Sequence, residues 1–297
     1  MRIAHLSDLQ IGTWTGSPIL AFANKRAWGA LHWFVRRRWR QREAWLEPLF
    51  ADLRAQKPDH VVITGDLTNF SLRSELDHAA RVVDAMGFDG RTLTVVPGNH
   101  DEYVGGTRDG FVRAFAPYLS GDRSPAGRYP FVRVRGEVAL IGLCSALPVP
   151  FGQSGGRLGA GQLQRLEEIL GSPSMRRKFR VVALHHPPVR HRGNEARQLA
   201  DRAELRGVLE RGGCELVLHG HEHRDTLAWL AGPRAPIPSF GAGSATDSSR
   251  HRDRNARYNV YEIVRGRLVG ATIRAYDRVT GGFEKSGTQR ILLPTTQ

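Results

Sequence analysis

Acidic residues are scarce in this 297-residue chain: 29 Asp and Glu stand against 43 Lys and Arg, a net charge of +14. None lies between Asp8 and Glu43, whereas Lys25, Arg26, Arg36, Arg37, Arg38, Arg40 and Arg42 accumulate there. Such an excess draws a protein to anionic surfaces, whether nucleic acid, acidic lipid or phosphorylated small molecules. Cysteine is nearly missing. Cys144 and Cys214, both in apolar strand-like runs, exclude a disulfide scaffold and suit reduced core thiols in a cytosolic protein. No run of about eighteen or more apolar residues occurs, which argues against a spanning helix. The opening stretch from Met1 to Asp8 reads as a strand and lacks the basic, apolar and small-residue sections of a secretory signal. Repeats and low-complexity tracts are also lacking, so nothing marks a solenoid or a dividing linker.

What is present suits a packed domain. Hydrophobic residues make up 40% of the chain and aromatics 8%, enough for a sizeable core. Short β-branched runs at Arg2–Ser7, His60–Thr64, Leu93–Val96, Val138–Leu143, Arg180–Leu184 and Glu215–Leu218 predict strands. Helical periodicity covers Arg42–Gln56, Ser74–Met86, Ala160–Leu170 and Leu199–Arg211. The alternation points to a layered α/β protein, extended by strands at Tyr258–Val264 and Leu268–Tyr276. A single domain is expected over residues 1–280, with an insertion at about 13–42 and a C-terminal tail at 281–297.

Nearly every predicted strand ends in a cluster of Asp, Asn, His or Gly. The first delivers Asp8-Leu9-Gln10, the second Gly65-Asp66-Leu67-Thr68-Asn69 and the third Gly98-Asn99-His100-Asp101. Later strands end in His185-His186-Pro187-Pro188 and His219-Gly220-His221-Glu222-His223. Ligands of open α/β sheets bind where strands end. Two cations about 4 Å apart need a bridging carboxylate with mixed oxygen and imidazole donors. Asp8 and Asp66 supply carboxylates, Asn99 a neutral oxygen, and three or more histidines supply imidazole. Singly, each motif is weak, because Gly-Asp after a strand is usually a turn and a strand-end histidine is usually structural. Five in this order are specific.

These motifs resemble those of the calcineurin-like metallophosphoesterase family over roughly residues 1 to 245: D-x-H, G-D-x-x-[DN], G-N-H-[DE], a strand-end histidine and G-H-x-H. The resemblance implies two facing mixed β-sheets flanked by helices, a four-layer α/β/β/α sandwich. It also implies two divalent metal ions and attack by a metal-bound hydroxide on a phosphodiester or pyrophosphate. Carried over, Asp66 would bridge the metals; Asp8, Gln10 and His223 would complete one site, and Asn99, His185 and His221 the other. His100 would face substrate, Asp101 would orient His100, and Asn69 would touch substrate. His186 and His219 are read as structural. Gln10 departs from the family's usual histidine, and its neutral carbonyl is a harder, weaker donor. A manganese- or magnesium-preferring first site, a water-bridged metal and a degenerate inactive site all follow from that exchange. Manganese is the expected metal, with iron, zinc and magnesium as alternatives; related families acting on nucleotide diphosphates with manganese also carry D-x-Q.

The insertion at 13–42 holds Trp14, Trp28, Trp33 and Trp39 among its arginines. On a helical wheel Trp28, Leu31, Val35 and Trp39 share one face, with Lys25, Arg36, Arg37 and Arg40 opposite. Such a helix packs on its own domain, lies on an anionic membrane, or contacts nucleic acid. Its composition and position resemble those of bacterial enzymes related to UDP-2,3-diacylglucosamine pyrophosphatases. That implies a lipid-linked nucleotide as substrate, Arg36 and Arg40 in contact with it, and a cytoplasmic protein peripheral to the inner membrane face. A second basic segment, Gly241–Arg257, is a further wall for phosphate or a solvated loop. A cyclic nucleotide phosphodiesterase, a nuclease and a metal-poor, non-catalytic binding protein remain the competing readings.

Overall fold

The computed structural model of the chain describes residues 1–12, 43–150, 152–190, 195–249, 251 and 254–289. Its strands are β1 (Arg2–Leu6), β2 (His60–Ile63), β3 (Leu93–Val95), β4 (Phe131–Arg135), β5 (Val138–Gly142), β6 (Phe179–Ala183), β7 (Leu216–His219), β8 (Thr226–Leu230), β9 (Ile237–Gly241), β10 (Arg257–Val264), β11 (Arg267–Asp277) and β12 (Gly282–Gln289). Helices α1 (Leu46–Ala55), α2 (Arg73–Asp84), α3 (Arg108–Ala114), α4 (Ala116–Leu119), α5 (Ala160–Gly171), α6 (Pro173–Arg176) and α7 (Arg202–Gly212) connect them. None is long and apolar enough to cross a membrane.

Two six-stranded sheets result, ordered β12-β11-β10-β1-β2-β3 and β4-β5-β6-β7-β9-β8. In the first, β1, β2 and β3 are parallel, and an antiparallel meander of β10, β11 and β12 extends it. In the second, β5, β6, β7 and β9 are parallel and the two edges antiparallel.

The sandwich follows from side-chain alternation within strands apolar on both faces. Ile3 and Val62 point inward to meet Leu140, Val181, Leu216 and Leu218 of the facing sheet. Their neighbours Ala4, Leu6, Val61 and Ile63 point outward against Leu49, Leu53, Leu76 and Val83 of α1 and α2. On the far side Val182 and Val217 pack under Leu166 of α5 and Leu205 of α7. Helix, sheet, sheet and helix are thus four layers joined by three apolar interfaces.

Some expectations change. Residues 282–289 are not a tail: β12 pairs with β11 along its length and buries Phe283. A single buried aromatic among polar neighbours is too faint a strand pattern to read. The helix expected from Arg42 begins with a short 3-10 turn, Glu43–Trp45, before α1; Pro48 fits that first turn because no helical partner awaits its missing N–H. Strands β4, β8 and β9 had no expectation, since edge positions and the prolines at 236 and 238 mask their pattern.

Two buried histidines make the fold sensitive to acid. His5 Nε2 meets Thr64 Oγ1 at 2.8 Å, and His60 Nε2 meets Thr94 Oγ1 at 2.8 Å. Burial, with a smaller push from His219 on His5 and from Arg133 and Arg135 on His60, lowers both from 6.5 to about 3. Below pH 6.5 the unfolded chain takes up protons that the folded chain refuses. Stability present above pH 6.5 is therefore lost as pH falls toward 3, by up to ~1.4 kcal/mol per pH unit for each histidine. Urea midpoints measured across that window should fall less steeply for His60→Gln than for the parent; equal slopes would remove His60 as a cause.

Candidate metal centre

Parallel strands place all five motifs at one end of the sandwich. Asp8 follows β1, Asp66 follows β2, Asn99 and His100 follow β3, His185 follows β6, and His221 and His223 follow β7. Main-chain bonds stitch the loops together: Asp8 N donates to Gly65 O (3.0 Å), Gln10 N to Asp66 O (2.9 Å) and Gly220 N to His185 O (3.0 Å). Asp8, Gln10, Asp66, His221 and His223 all adopt positive φ, from 47° to 74°. Non-glycine residues avoid that region, and such strain concentrates at functional sites. Close approach also demands Gly98, where a Cβ would overlap the Asp66 carboxylate.

The inner half of the centre is a convergence of lone pairs. His185 Nδ1 lies 2.6 Å from Thr64 O, and His221 Nε2 lies 3.0 Å from Arg197 O. Carbonyl oxygens only accept, so both nitrogens carry hydrogen and the opposite nitrogens are bare in the neutral rings. Those bare atoms, His185 Nε2 and His221 Nδ1, stand 3.3 Å apart and 3.2 and 3.0 Å from Asn99 Oδ1. Asp66 Oδ2 is 3.5 Å from His185 Nε2. Donors bonded at ~2.1 Å to one cation lie about 3.0–3.4 Å apart by geometry. The set fits a divalent ion, and without positive charge it repels itself.

A proton is the cation's competitor. Burial lowers the His185 pKa, but the charge and hydrogen bond of Asp66 outweigh it and raise the group to about 9. Burial likewise works to raise Asp66, yet His185 and His100 hold it well below the carboxylate range. His221 is pushed far down, by burial first and then by His186, His185 and Arg197 against Asp66.

The outer half is built on Asp8, whose Oδ1 lies 3.2 Å from His223 Nε2 and makes no hydrogen bond. Its Oδ2 accepts the His221 main-chain N–H at 3.1 Å. Oxygens of Asp8 and Asp66 and a nitrogen of His185 lie within 4.8 Å of one another, so Asp66 stands between the halves. Gln10 is 3% exposed, and both its amide atoms lack partners. A buried, unanswered amide costs about 1–3 kcal/mol, and a cation would satisfy its oxygen.

Not every predicted site residue has the predicted role. Asp101 does not orient His100: its Oδ1 accepts from Thr68 N (2.9 Å) and Thr68 Oγ1 (3.1 Å), and its Oδ2 from Gly98 N (2.9 Å). It folds the loop beneath the site, while burial and the Asp66 carboxylate raise it to about 7 against those donors. His100 is oriented instead through Nδ1, which donates to the main-chain oxygen of Asn69 at 2.7 Å, and its ring stacks on Tyr103. The Asn69 side chain is buried and donates to Gln10 O at 3.0 Å, a positioning bond rather than a substrate contact. Arg36 and Arg40 lie outside the described residues.

His186 falls within 4.8 Å of His185 and His221, yet both its ring nitrogens are engaged, by Ser145 Oγ (2.8 Å) and Ser154 O (3.0 Å). It braces the ligands, and His219 is buried in β7 outside both clusters. Within the 241–257 segment, Ser244 Oγ donates to Asp8 O (2.7 Å) and Thr246 Oγ1 to Leu9 O (2.8 Å). These two residues prop the first motif, while Arg250 and Arg252 of the same segment lie outside the described residues. Sequence reading could not find the carbonyls of Thr64, Asn69 and Arg197, because every residue has one.

A buried, strained donor set for two cations, faced by His100, makes the chain a metal-dependent hydrolase of phosphoester bonds. Residues 1–225 match the calcineurin-like phosphoesterases, and the chain belongs to that family. No curated protein matches it in sequence. Among solved structures, a dimetal phosphatase from Danio rerio is similar over 99% of both chains, with 14% identity and a TM-score of 0.65. A purple acid phosphatase from yellow lupin (Lupinus luteus) seeds has 13% identity and a TM-score of 0.58 over 97% of this chain and 53% of its own. The NAD nucleotidase of Haemophilus influenzae has 12% identity and a TM-score of 0.50, also over 97% and 53%. This chain spans about half the length of the latter two, and at such identities the likeness is one of fold.

Because a cation must displace the His185 proton, metal affinity should rise with pH up to about 9. Calorimetric titration of Mn2+ near pH 7.5, in buffers of different ionisation enthalpy, should register proton release. A signal independent of buffer would contradict the assignment. Gly98→Ala should weaken metal binding as well as lower the melting temperature.

Proposed function

We propose that the chain hydrolyses a phosphodiester or diphosphate bond with two divalent cations, Mn2+ foremost, and that its substrate is a lipid-linked nucleotide such as UDP-2,3-diacylglucosamine. The observation that carries the reaction is the convergence of Asn99 Oδ1, His185 Nε2 and His221 Nδ1 beside Asp66. When bound, the cations supply Lewis acidity toward phosphoryl oxygen and a water of lowered pKa. The chain's own residues do the rest. The Nδ1–H of His100 is tied to Asn69 O, so Nε2 is where it moves a proton to the leaving oxygen. The His100 main-chain N–H donates to Asp66 Oδ1 at 2.8 Å, which locks the proton donor to the carboxylate between the two donor sets. Asp8, Gln10, Asp66, Asn99, His185 and His221 are each at most 6% exposed, while His223 is 25% exposed in its side chain. Substrate therefore enters over His100 and His223 and meets an inner wall that excludes water.

The choice of manganese rests on Gln10, whose neutral oxygen suits a harder ion than the imidazole usual in the family. The choice of a lipid-linked nucleotide rests on residues 13–42, where arginine and tryptophan crowd without a single acid. Arg36 and Arg40 are the proposed contacts, with the protein peripheral on the cytoplasmic face of an anionic membrane.

The first test is hydrolysis with added Mn2+ of UDP-2,3-diacylglucosamine, ADP-ribose, cyclic AMP and single-stranded DNA. Preference for the acylated substrate is expected. Activity confined to cyclic AMP or DNA would overturn the substrate, and none on any of them, with any metal, would overturn the hydrolase. His100→Ala should lower kcat by roughly 10²–10⁴, with metal stoichiometry retained. Gln10→His should tighten binding at the outer site; unchanged affinity would remove Gln10 from the ligand set.

A further inference from the structure

Arg197 enters the site by its main chain, through the carbonyl that accepts the His221 Nε2–H at 3.0 Å. Its side chain has no such employment. It is exposed, and no acidic partner accompanies it among the described residues. The nearby Glu195 carboxylate is taken instead by Arg190 (3.2 Å) and Arg202 (3.1 Å).

The residue also rides on a fixed platform. Its 3-10 turn, Glu195–Arg197, is clamped to the loop before α5: Ser154 N donates to Ala196 O (3.0 Å), Gly156 N to Gln198 O (3.1 Å) and Ala200 N to Gly156 O (2.8 Å). The same loop receives His186 Nε2 at Ser154 O. The backbone of Arg197 is therefore fixed beside the inner donor set, and its planar, permanently charged fork has its hydrogen-bonding capacity unused. Arginine in that condition suits phosphoryl oxygens, which it meets two at a time.

We propose that Arg197 is a specificity-determining residue that binds the second phosphoryl group of a diphosphate substrate, the one adjacent to the phosphorus under attack. This rests on the hydrolase reading above and names the residue that selects a diphosphate over an ester with a single phosphorus. Removing the side chain leaves the carbonyl, so Arg197→Ala separates the guanidinium from the support of His221.

The test compares the Mn2+-loaded full chain and its Arg197→Ala and Arg197→Lys variants on ADP-ribose, a diphosphate, and on bis(p-nitrophenyl) phosphate, which has one phosphorus. Arg197→Ala should raise KM for ADP-ribose about ten-fold or more beyond any change with the diester. Arg197→Lys should recover part of that loss, and kcat should move little. Equal losses on both substrates would assign Arg197 to positioning, and no loss on either would make it a solvated charge; both overturn the proposal. Calorimetric binding of inorganic pyrophosphate and orthophosphate keeps the two readings apart. If the parent turns over neither of these nor UDP-2,3-diacylglucosamine, the hydrolase reading fails, and Arg197 is then judged by whether Arg197→Ala selectively weakens pyrophosphate. Equal weakening of both anions would sink it.

Discussion

A buried carboxylate, Asp66, sits between two groups of electron-pair donors that cannot neutralise one another. His185, His221 and Asn99 press lone pairs together on one side, and Asp8, Gln10 and His223 gather on the other. No arrangement of these atoms is stable without positive charge supplied by protons or cations. The surroundings serve that demand. Carbonyls of Thr64 and Arg197 fix the imidazole tautomers, Ser145 and Ser154 brace the neighbouring histidine, and five donor residues accept positive φ to reach their places. Strain of this kind persists only where surrounding structure over-determines it. Here the two sheets and their helices provide that surplus.

Charge is distributed with similar economy. The metal end concentrates carboxylates and lone pairs in a chain that is otherwise strongly basic. All three arginines buried among the described residues are occupied: Arg257 by Asp225, Arg180 by Glu215, and Arg133 by the carbonyls of Leu93, Pro117 and Ser120. Arg197 differs from these: it is exposed beside the inner donor set, and Glu195 pairs with Arg190 and Arg202 instead. The basic stretch before Glu43 follows the first metal motif directly in the sequence.

Much of this was legible beforehand because the signals were local. The strand runs, the α/β alternation and the motifs at strand ends each occupy a few consecutive residues. The readings that changed depended on partners far along the chain. Asp101 looked like an orienting acid because it follows His100, but its loop turns the carboxylate toward Thr68 and Gly98. Asn69 looked like a substrate contact, but its amide faces inward to Gln10. The stretch after Gly281 looked like a tail because a strand on one edge of a sheet needs little apolar pattern of its own.

The sequence by itself therefore determined the inventory: which donors exist, in what order, and that each follows a strand. Residue types and short spacings carry that information, since a carboxylate or imidazole cannot be replaced by backbone chemistry. Only the tertiary structure decided which nitrogen of each histidine faces the centre, which acid supports instead of reacting, and which arginine lends its carbonyl to His221. Those outcomes depend on backbone carbonyls and on ion pairs closed between distant segments, and every residue carries the same carbonyl until the fold gives it a neighbour.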